Sequence, residues 1–457
     1  MIFPPEFIAH IGQQNIPNLD EFLAAHDVKS PTSIRINPYK SPLIPKQEQV
    51  PWCKWGFYLD ERPVFTLDPS FHSGSYYVQE ASSMAVQFAL DFIFNDIKNP
   101  LILDISAAPG GKSTLISAMI AEKGDGTLIS NDIITSRAYV LKYNLAKEGH
   151  AHTIVTNASP ESYAKLPPLF DVILLDAPCS GEGMFRKEEN AILHWSLENV
   201  HSCSVRQRKI LNDVGPILLP GGYLIYSTCT YNELENIDNL LNLLGKGGYE
   251  SVPLNFHLQW NIEEIKKQGV YGYRFLPHKV KGEGFFLAVL RKKTNHIDII
   301  KPLKTTKVLN ALTSDKKKIL SEWVNFDTTK FEIKTDKVEN LHLFPSDIEP
   351  IVEHLSKSGI PIIDVGTTLG KFNKDVFIPH HHLALSLFAP PKIEKIELNL
   401  SDALLYLKRE IFEPMSDHKG WAMATYENNG IGWMKLVNGR VNNYLPKELA
   451  IRMEINK

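Results

Sequence analysis

Residues 101–114 read LILDISAAPGGKST. Leu101 to Ile105 is a short apolar run, bounded by a turn rich in Pro and Gly, and an apolar-periodic stretch follows from Thr114 to Ala121. A run this short, closed by turn residues, reads as a strand buried on both faces and followed by a helix. The same grammar repeats outward. Thr127–Ser130 leads to a helix around Ser136–Glu148, His152–Val155 is a further strand, and Asp171–Leu175 and Gly222–Tyr226 are two more. Upstream, Ala81–Phe94 has helical spacing; downstream, Gly284–Leu290 is a last strand that ends at Arg291-Lys292-Lys293. Continuous apolar strands alternating with helices predict a doubly wound α/β domain with a mostly parallel sheet. Such sheets bind ligands at the carboxyl ends of their strands.

The turn after the first strand, Ala107-Ala108-Pro109-Gly110-Gly111-Lys112-Ser113, lets backbone amides approach a ligand at a helix N-terminus. Gly111-Lys112-Ser113 matches the end of a nucleoside-triphosphate loop, but that motif needs glycine where Ser106 stands. Asp132, at the end of the next strand, is placed where a carboxylate can accept hydrogen bonds from ribose hydroxyls. Loop and acid together point to an adenosyl ligand.

Composition excludes several classes. The chain has 457 residues, 43% hydrophobic and 22% charged, enough for more than one core. No run approaches the roughly 18–20 apolar residues of a membrane-spanning helix, and the N-terminus lacks the pattern of a secretory signal. The four cysteines, at 53, 179, 203 and 229, are too scattered for a disulfide framework or a zinc ribbon, so a cytoplasmic location with reduced thiols is expected. Net charge is −3, yet Arg274–Lys318 holds twelve basic against three acidic residues, the form a local polyanion contact would take.

Cys179 and Cys229 each follow a buried strand, in Asp176-Ala177-Pro178-Cys179 and Ser227-Thr228-Cys229. If those strands are neighbours, about 4.8 Å apart, both thiols can face one pocket. Cys53 and Cys203 read instead as inert core residues. Two thiols, the acid Asp176 and an adenosyl pocket suit methylation of a cytosine. Its C5 is a poor nucleophile until a thiolate adds to C6, after which it can displace the methyl group of S-adenosylmethionine. Asp176 is placed to bind the N3/N4 edge.

At this point the chain resembles a known family. AAPGGKS (107–113), DAPCSGEG (176–183), Met184-Phe185-Arg186-Lys187, STCT (227–230), SIRINP (33–38), YVQEASSM (77–84) and FLPHKVKGEGFFLAVL (275–290) resemble the Nop/Sun family of RNA cytosine-C5 methyltransferases, nearest to its bacterial RsmF (YebU) ribosomal RNA subgroup. The resemblance covers roughly residues 30–293, and Gly432–Arg452 is similar to that subgroup's PUA-type RNA-binding segment. It implies that Cys229 is the nucleophile and that Cys179 assists release. Lys112 and Asp176 would line the junction of cofactor and base. Residues 107–113, Asp132 and Asp176 would hold S-adenosylmethionine. Where the family often has an aspartate near the adenine, this chain has Asn157.

The architecture expected is thus a small N-terminal α+β RNA-docking domain (1–75), a Rossmann-like methyltransferase domain (76–293), an intermediate C-terminal α+β region (294–395) and a PUA-like β-rich domain (396–457). The expected partner is RNA, ribosomal by family analogy, with a monomeric chain, no membrane and no metal. Transfer RNA as substrate, or a non-catalytic assembly factor on the same scaffold, are the alternatives. His380-His381-His382 does not read as a metal site, because neighbours on a strand face opposite ways. The aromatic residues between 52 and 77 read as an interdomain seam rather than a base-stacking surface. Arg206-Gln207-Arg208-Lys209 reads equally as a phosphate contact or an exposed helix face. Gly430–Lys435 and Arg440–Tyr444, joined by Asn438-Gly439, read as a hairpin.

Overall fold

The computed structural model describes residues 1–40, 47–294, 307–389, 392–414, 416–438 and 440–454. Its centre is a sheet built on β1 (Leu101–Asp104), β2 (Thr127–Asn131), β3 (Thr153–Thr156), β4 (Phe170–Asp176), β5 (Leu218–Thr228), β6 (Val270–Phe275) and β7 (Phe285–Lys292). These lie in the order β6-β7-β5-β4-β1-β2-β3. The first five are parallel to one another, while β7 runs antiparallel to β5 and to β6.

The apolar runs are continuous because both faces are covered. Ile102, Val172, Leu174 and Ile225 pack in one core with the helices Val86–Asp96 and Gly111–Lys123. Leu103, Ile173, Leu175 and Leu224 pack in the other, with Leu197–Val214 and Ile237–Gly245. The chain lays β2 and β3 on one side of β1, then returns to lay β4 on the other. The crevice beyond the carboxyl ends of β1 and β4 is therefore the topological switch point, where such sheets take their ligands.

Four strands of this sheet are not legible as apolar runs. Glu263–Lys267 is a charged, half-exposed edge paired with β6, Tyr249–Val252 pairs with β7, and β6 itself lies between Glu263–Lys267 and β7. At the opposite edge, Ile362–Val365 pairs antiparallel with β3, so the intermediate C-terminal region contributes a strand to the catalytic sheet. The rest of that region forms a five-stranded sheet, and Glu394–Glu397 begins a separate four-stranded sheet that runs to Asn443. In that last sheet Asn429–Val437 and Arg440–Asn443 form the expected hairpin; Asn438 has a φ of 51°, and Gly439 lies outside the described residues.

The N-terminal unit opens with two helices, Pro5–Ile11 and Leu19–Ala25, separated by a segment that holds Gly12 and Pro17. A three-stranded antiparallel sheet follows, with Thr32–Ile36 between Gly56–Leu59 and Tyr76–Val78, so its third strand falls just past residue 75. Trp52, Trp55 and Tyr58 are buried in the main core, and Trp52 Nε1 donates to the Ala81 carbonyl at 2.6 Å. Phe65, Phe71 and Tyr77 are only half-buried.

Other expectations change with the third dimension. The basic stretch is not one face: Arg274 is buried, donates to the Gln14 carbonyl at 2.8 Å and pairs with Glu263 at 3.2 Å. Arg291 pairs with Asp96, while Lys301 and Lys304 lie outside the described residues. The three histidines are not on a strand; His380 precedes the helix His381–Leu385 and accepts from the His382 amide. Among the described residues no cluster of His, Cys, Asp or Glu is arranged to hold a metal ion, and no helix is long and apolar enough to cross a membrane. Of the basic helix segment, Arg206 is exposed, whereas Gln207 is buried and donates to the Pro178 carbonyl, just before Cys179.

Candidate active site

β1 ends at Asp104, which is fully buried. Its Oδ2 accepts from Ser113 Oγ at 2.7 Å, and its Oδ1 has no hydrogen-bond partner within ordinary distance among the described residues. Burial pushes the carboxyl up to about 7, against the pull of Ser113 and Lys112. The turn that follows keeps its backbone open. Gly110 has a φ of +119°, and a Cβ there would stand 3.3 Å from Leu141 Cδ1. The helix Gly111–Lys123 starts directly after it, so its first amides point out of the turn. Side chains of the next helix secure the outer edge: Arg137 Nη2 donates to the Ala108 carbonyl at 2.7 Å and Asn144 Nδ2 to the Pro109 carbonyl at 2.8 Å.

Asp132 follows β2 and is 2% exposed. Its Oδ1 accepts from the Ile134 amide at 2.9 Å, and Arg137 approaches its Oδ2 at 3.4 Å. Asn157, after β3, is turned to this acid's backbone: its Nδ2 donates to the Asp132 carbonyl at 2.7 Å, and its Oδ1 accepts from Thr135 Oγ1 at 2.8 Å. Ala107–Ser113, Asp132 and Asn157 thus form one rim. An uncovered glycine turn, a helix N-terminus, a buried acid with a free oxygen and a second acid about one strand away fit an adenosyl amino acid.

The cysteine expectation turned on whether two strands are neighbours. β4 and β5 are adjacent and parallel, with Asp176 in register with Ser227. Cys179 and Cys229 leave these strands on the same side, and their sulfurs lie 3.1 Å apart as free thiols. The Cys229 amide also approaches Cys179 Sγ at 3.3 Å. The hydrogen bond with Cys229, followed by burial, holds the Cys179 thiol well above its usual range, so it stays protonated at neutral pH.

Asp176 joins the two halves. Its Oδ1 accepts from Ser227 Oγ at 2.7 Å, and its Oδ2 stands 2.7 Å from Lys112 Nζ. Burial works against the Lys112 charge, but Asp176, Asp104 and Cys229 outweigh it and the ammonium is held above its ordinary range. The same ammonium lies 5.3 Å over the Phe285 ring. A cation, a carboxylate and two thiols therefore meet beside the glycine turn.

Comparison with known proteins gives the family. A family described as 16S rRNA methyltransferase RsmB/F matches residues 92–291, the N-terminal domain of 16S rRNA methyltransferase RsmF matches 3–81, and the methyltransferase RsmF PUA domain matches 393–451. A ribosomal RNA small subunit methyltransferase F from Erwinia tasmaniensis is 32% identical over 98% of this chain and 97% of its own length. The chain belongs to the ribosomal RNA small subunit methyltransferase F family. It is an RNA methyltransferase by that membership. A second member, from Vibrio vulnificus, is 31% identical over 95% of this chain and 94% of its own. Among solved structures, a methyltransferase homolog protein from Pyrococcus horikoshii has 27% identity and a TM-score of 0.51, covering 63% of this chain and 99% of that one.

For this family member, the structure brings Lys112, Asp176, Cys179 and Cys229 together and sets Asp132 and Asn157 along the neighbouring rim. Three acids near the site escaped the sequence reading. Asp104 could have been found as an acid closing the strand before a glycine turn. Glu182 and Glu235, packed behind the thiols, carry no such signal, because each is defined by contacts across about fifty residues.

Proposed function

We propose that this chain is an S-adenosylmethionine-dependent RNA (cytosine-5-)methyltransferase acting on small-subunit ribosomal RNA. The observation that carries the proposal is the pair of sulfurs 3.1 Å apart beside the Lys112–Asp176 pair. Support for the RNA comes from the relatives' name and from the matched PUA domain. The N-terminal unit and the two C-terminal sheets would dock RNA around the catalytic sheet.

Residues 107–113 would hold the cofactor through their backbone, with Asp104 and Asp132 on its polar groups and Asn157 shaping the adenine side. S-adenosylmethionine would supply a methyl group on a sulfonium. Cys229 Sγ adds, as thiolate, to C6 of the cytosine, and the C5–C6 π electrons are drawn toward N3. The Lys112 ammonium stands beside the reacting centre through its pair with Asp176, and Asp176 binds the N3/N4 edge. C5 then carries the electron pair that takes the methyl group. Water takes the C5 proton, and the freed C–H electron pair restores the C5–C6 double bond and expels the Cys229 thiolate. Cys179, held as a thiol against that sulfur, assists this release.

The test is incubation of the purified chain with donor labelled in its methyl group and, separately, small-subunit ribosomal RNA and transfer RNA. The expected result is 5-methylcytosine in the ribosomal RNA. Label in transfer RNA alone would overturn the substrate, and label in neither would overturn the activity.

A further inference from the structure

We propose that Glu182 and Glu235 are a reciprocal brace: each sits on the loop of one cysteine and holds the loop of the other, fixing Cys179 against Cys229. Both are positioning residues, and the inference rests on the cysteine roles proposed above.

Glu182 lies three residues after Cys179, yet the groups it accepts from follow Cys229. Its Oε2 takes Thr230 Oγ1 at 2.6 Å, the Tyr231 amide at 2.9 Å and the Asn232 amide at 3.1 Å. Glu235 lies beyond Cys229, yet it accepts from the residue that follows Cys179: the Ser180 amide reaches its Oε2 at 3.0 Å, and Ser180 Oγ reaches its Oε1. Asn232 ties the two acids together, with Nδ2 at 3.1 Å from Glu182 Oε1 and 2.8 Å from Glu235 Oε1. Two further donors close the set, Trp195 Nε1 on Glu182 at 3.1 Å and Gln207 Nε2 on Glu235 at 2.8 Å.

Both carboxylates are fully buried. A buried carboxylate is costly unless donors surround it, and apolar packing of similar volume would join two loops at lower cost. What the pair of acceptors adds is direction: its bonds fix the peptide group after Cys179 and, past Cys229, the Thr230 hydroxyl and the Tyr231 and Asn232 amides. Those bonds end at Ser180 on one side and at Thr230 on the other, next to Cys179 and Cys229. The loops also cannot slide to compensate. Gly183 N donates to the Cys229 carbonyl at 2.9 Å, and a Cβ on Gly183 would stand 2.4 Å from the Gly284 carbonyl oxygen. Displacements near 1 Å at reacting atoms cost about 100-fold in rate, so a brace of this kind acts on turnover rather than on RNA affinity.

The experiment compares wild type with Glu182→Gln and Glu235→Gln, which keep shape but turn acceptors into donors. Two quantities are read. The first is kcat and KM for methyl transfer to RNA. The second needs no RNA: an aromatic disulfide reagent forms a mixed disulfide with one thiol and releases one aryl thiol, and the neighbouring thiol then displaces the second aryl thiol to close a Cys179–Cys229 disulfide. Mass spectrometry of that cross-linked peptide gives the closure rate. The expected result is a fall of about 10- to 100-fold in both kcat and closure rate, with KM changed by less than about twofold. Wild-type closure and kcat with only a lower melting temperature would overturn the brace, as would a raised KM at unchanged kcat. Should a glutamine variant fail to fold, Thr230→Val removes one donor to Glu182; it is expected to slow closure and kcat together, and wild-type values for both would again overturn the proposal. Absent methyl transfer by wild type would reject the cysteine roles while leaving the closure rates to judge the brace.

Discussion

Lys112 Nζ lies 2.7 Å from Asp176 Oδ2, and this contact joins the glycine turn after β1 to the cysteine loop after β4. The pair spans the switch point of the sheet. It places one positive charge between the rim suited to the cofactor and the two sulfurs, where charge develops if a thiolate adds to the base.

Lys112→Met is expected to lower kcat by about 100- to 1,000-fold while leaving RNA affinity within about twofold, because it removes charge stabilisation from the reacting centre rather than from the docking surfaces. Single-turnover methyl transfer and an RNA-binding titration check this. A variant with normal kcat would mean that the ammonium serves only to pair Asp176.

Asp104 makes a prediction about pH. Its folded carboxyl is held at about 7 against an ordinary 3.8, so between those values the native state keeps a proton that the unfolded chain has lost. Its contribution to stability is complete below the lower value and fades as pH rises toward the upper one, by at most about 1.4 kcal/mol per pH unit for one proton. Asp104→Asn removes that slope. Urea midpoints should therefore shift in favour of the variant, relative to wild type, as pH rises from about 4 to about 7, and the difference should then level off. A difference independent of pH would contradict the assignment.

Gly110→Ala tests the cofactor rim. With φ at +119°, the new Cβ adopts a backbone conformation that L side chains rarely take and stands 3.3 Å from Leu141 Cδ1. A cost of about 1–2 kcal/mol is expected. It should be read as a lower melting temperature and as weaker S-adenosylmethionine binding by calorimetry. Unchanged binding would place the cofactor away from this turn.

The parts of this molecule legible in the sequence are those whose environment is uniform. β1, β4 and β5 announce themselves because both faces are buried, and that alone puts Cys179 and Cys229 at the same edge once their strands are neighbours. Glu263–Lys267 alternates charge along a half-exposed edge, and Ile362–Val365 joins the sheet from about two hundred residues beyond β3; neither has a local signature. Charge read along one dimension says little about a surface, since Arg274 turns inward to Gln14 and Glu263 while Lys281, in the same basic stretch, is exposed. Asn157 stands in the loop after β3, where its side-chain amide is spent on the Asp132 carbonyl and the Thr135 hydroxyl, contacts that no local pattern in the sequence signals.

The two sulfurs should part company on mutation. Cys229→Ala is expected to abolish methyl transfer, and Cys179→Ala to bind RNA and stall after the sulfur has added to the base. The most direct measurement is a denaturing gel of Cys179→Ala incubated with RNA and S-adenosylmethionine, followed by mass spectrometry of the retained species. The account predicts a covalent protein–RNA adduct whose cytosine is attached at Cys229. A clean gel with normal turnover, or an adduct attached at any other residue, would contradict it.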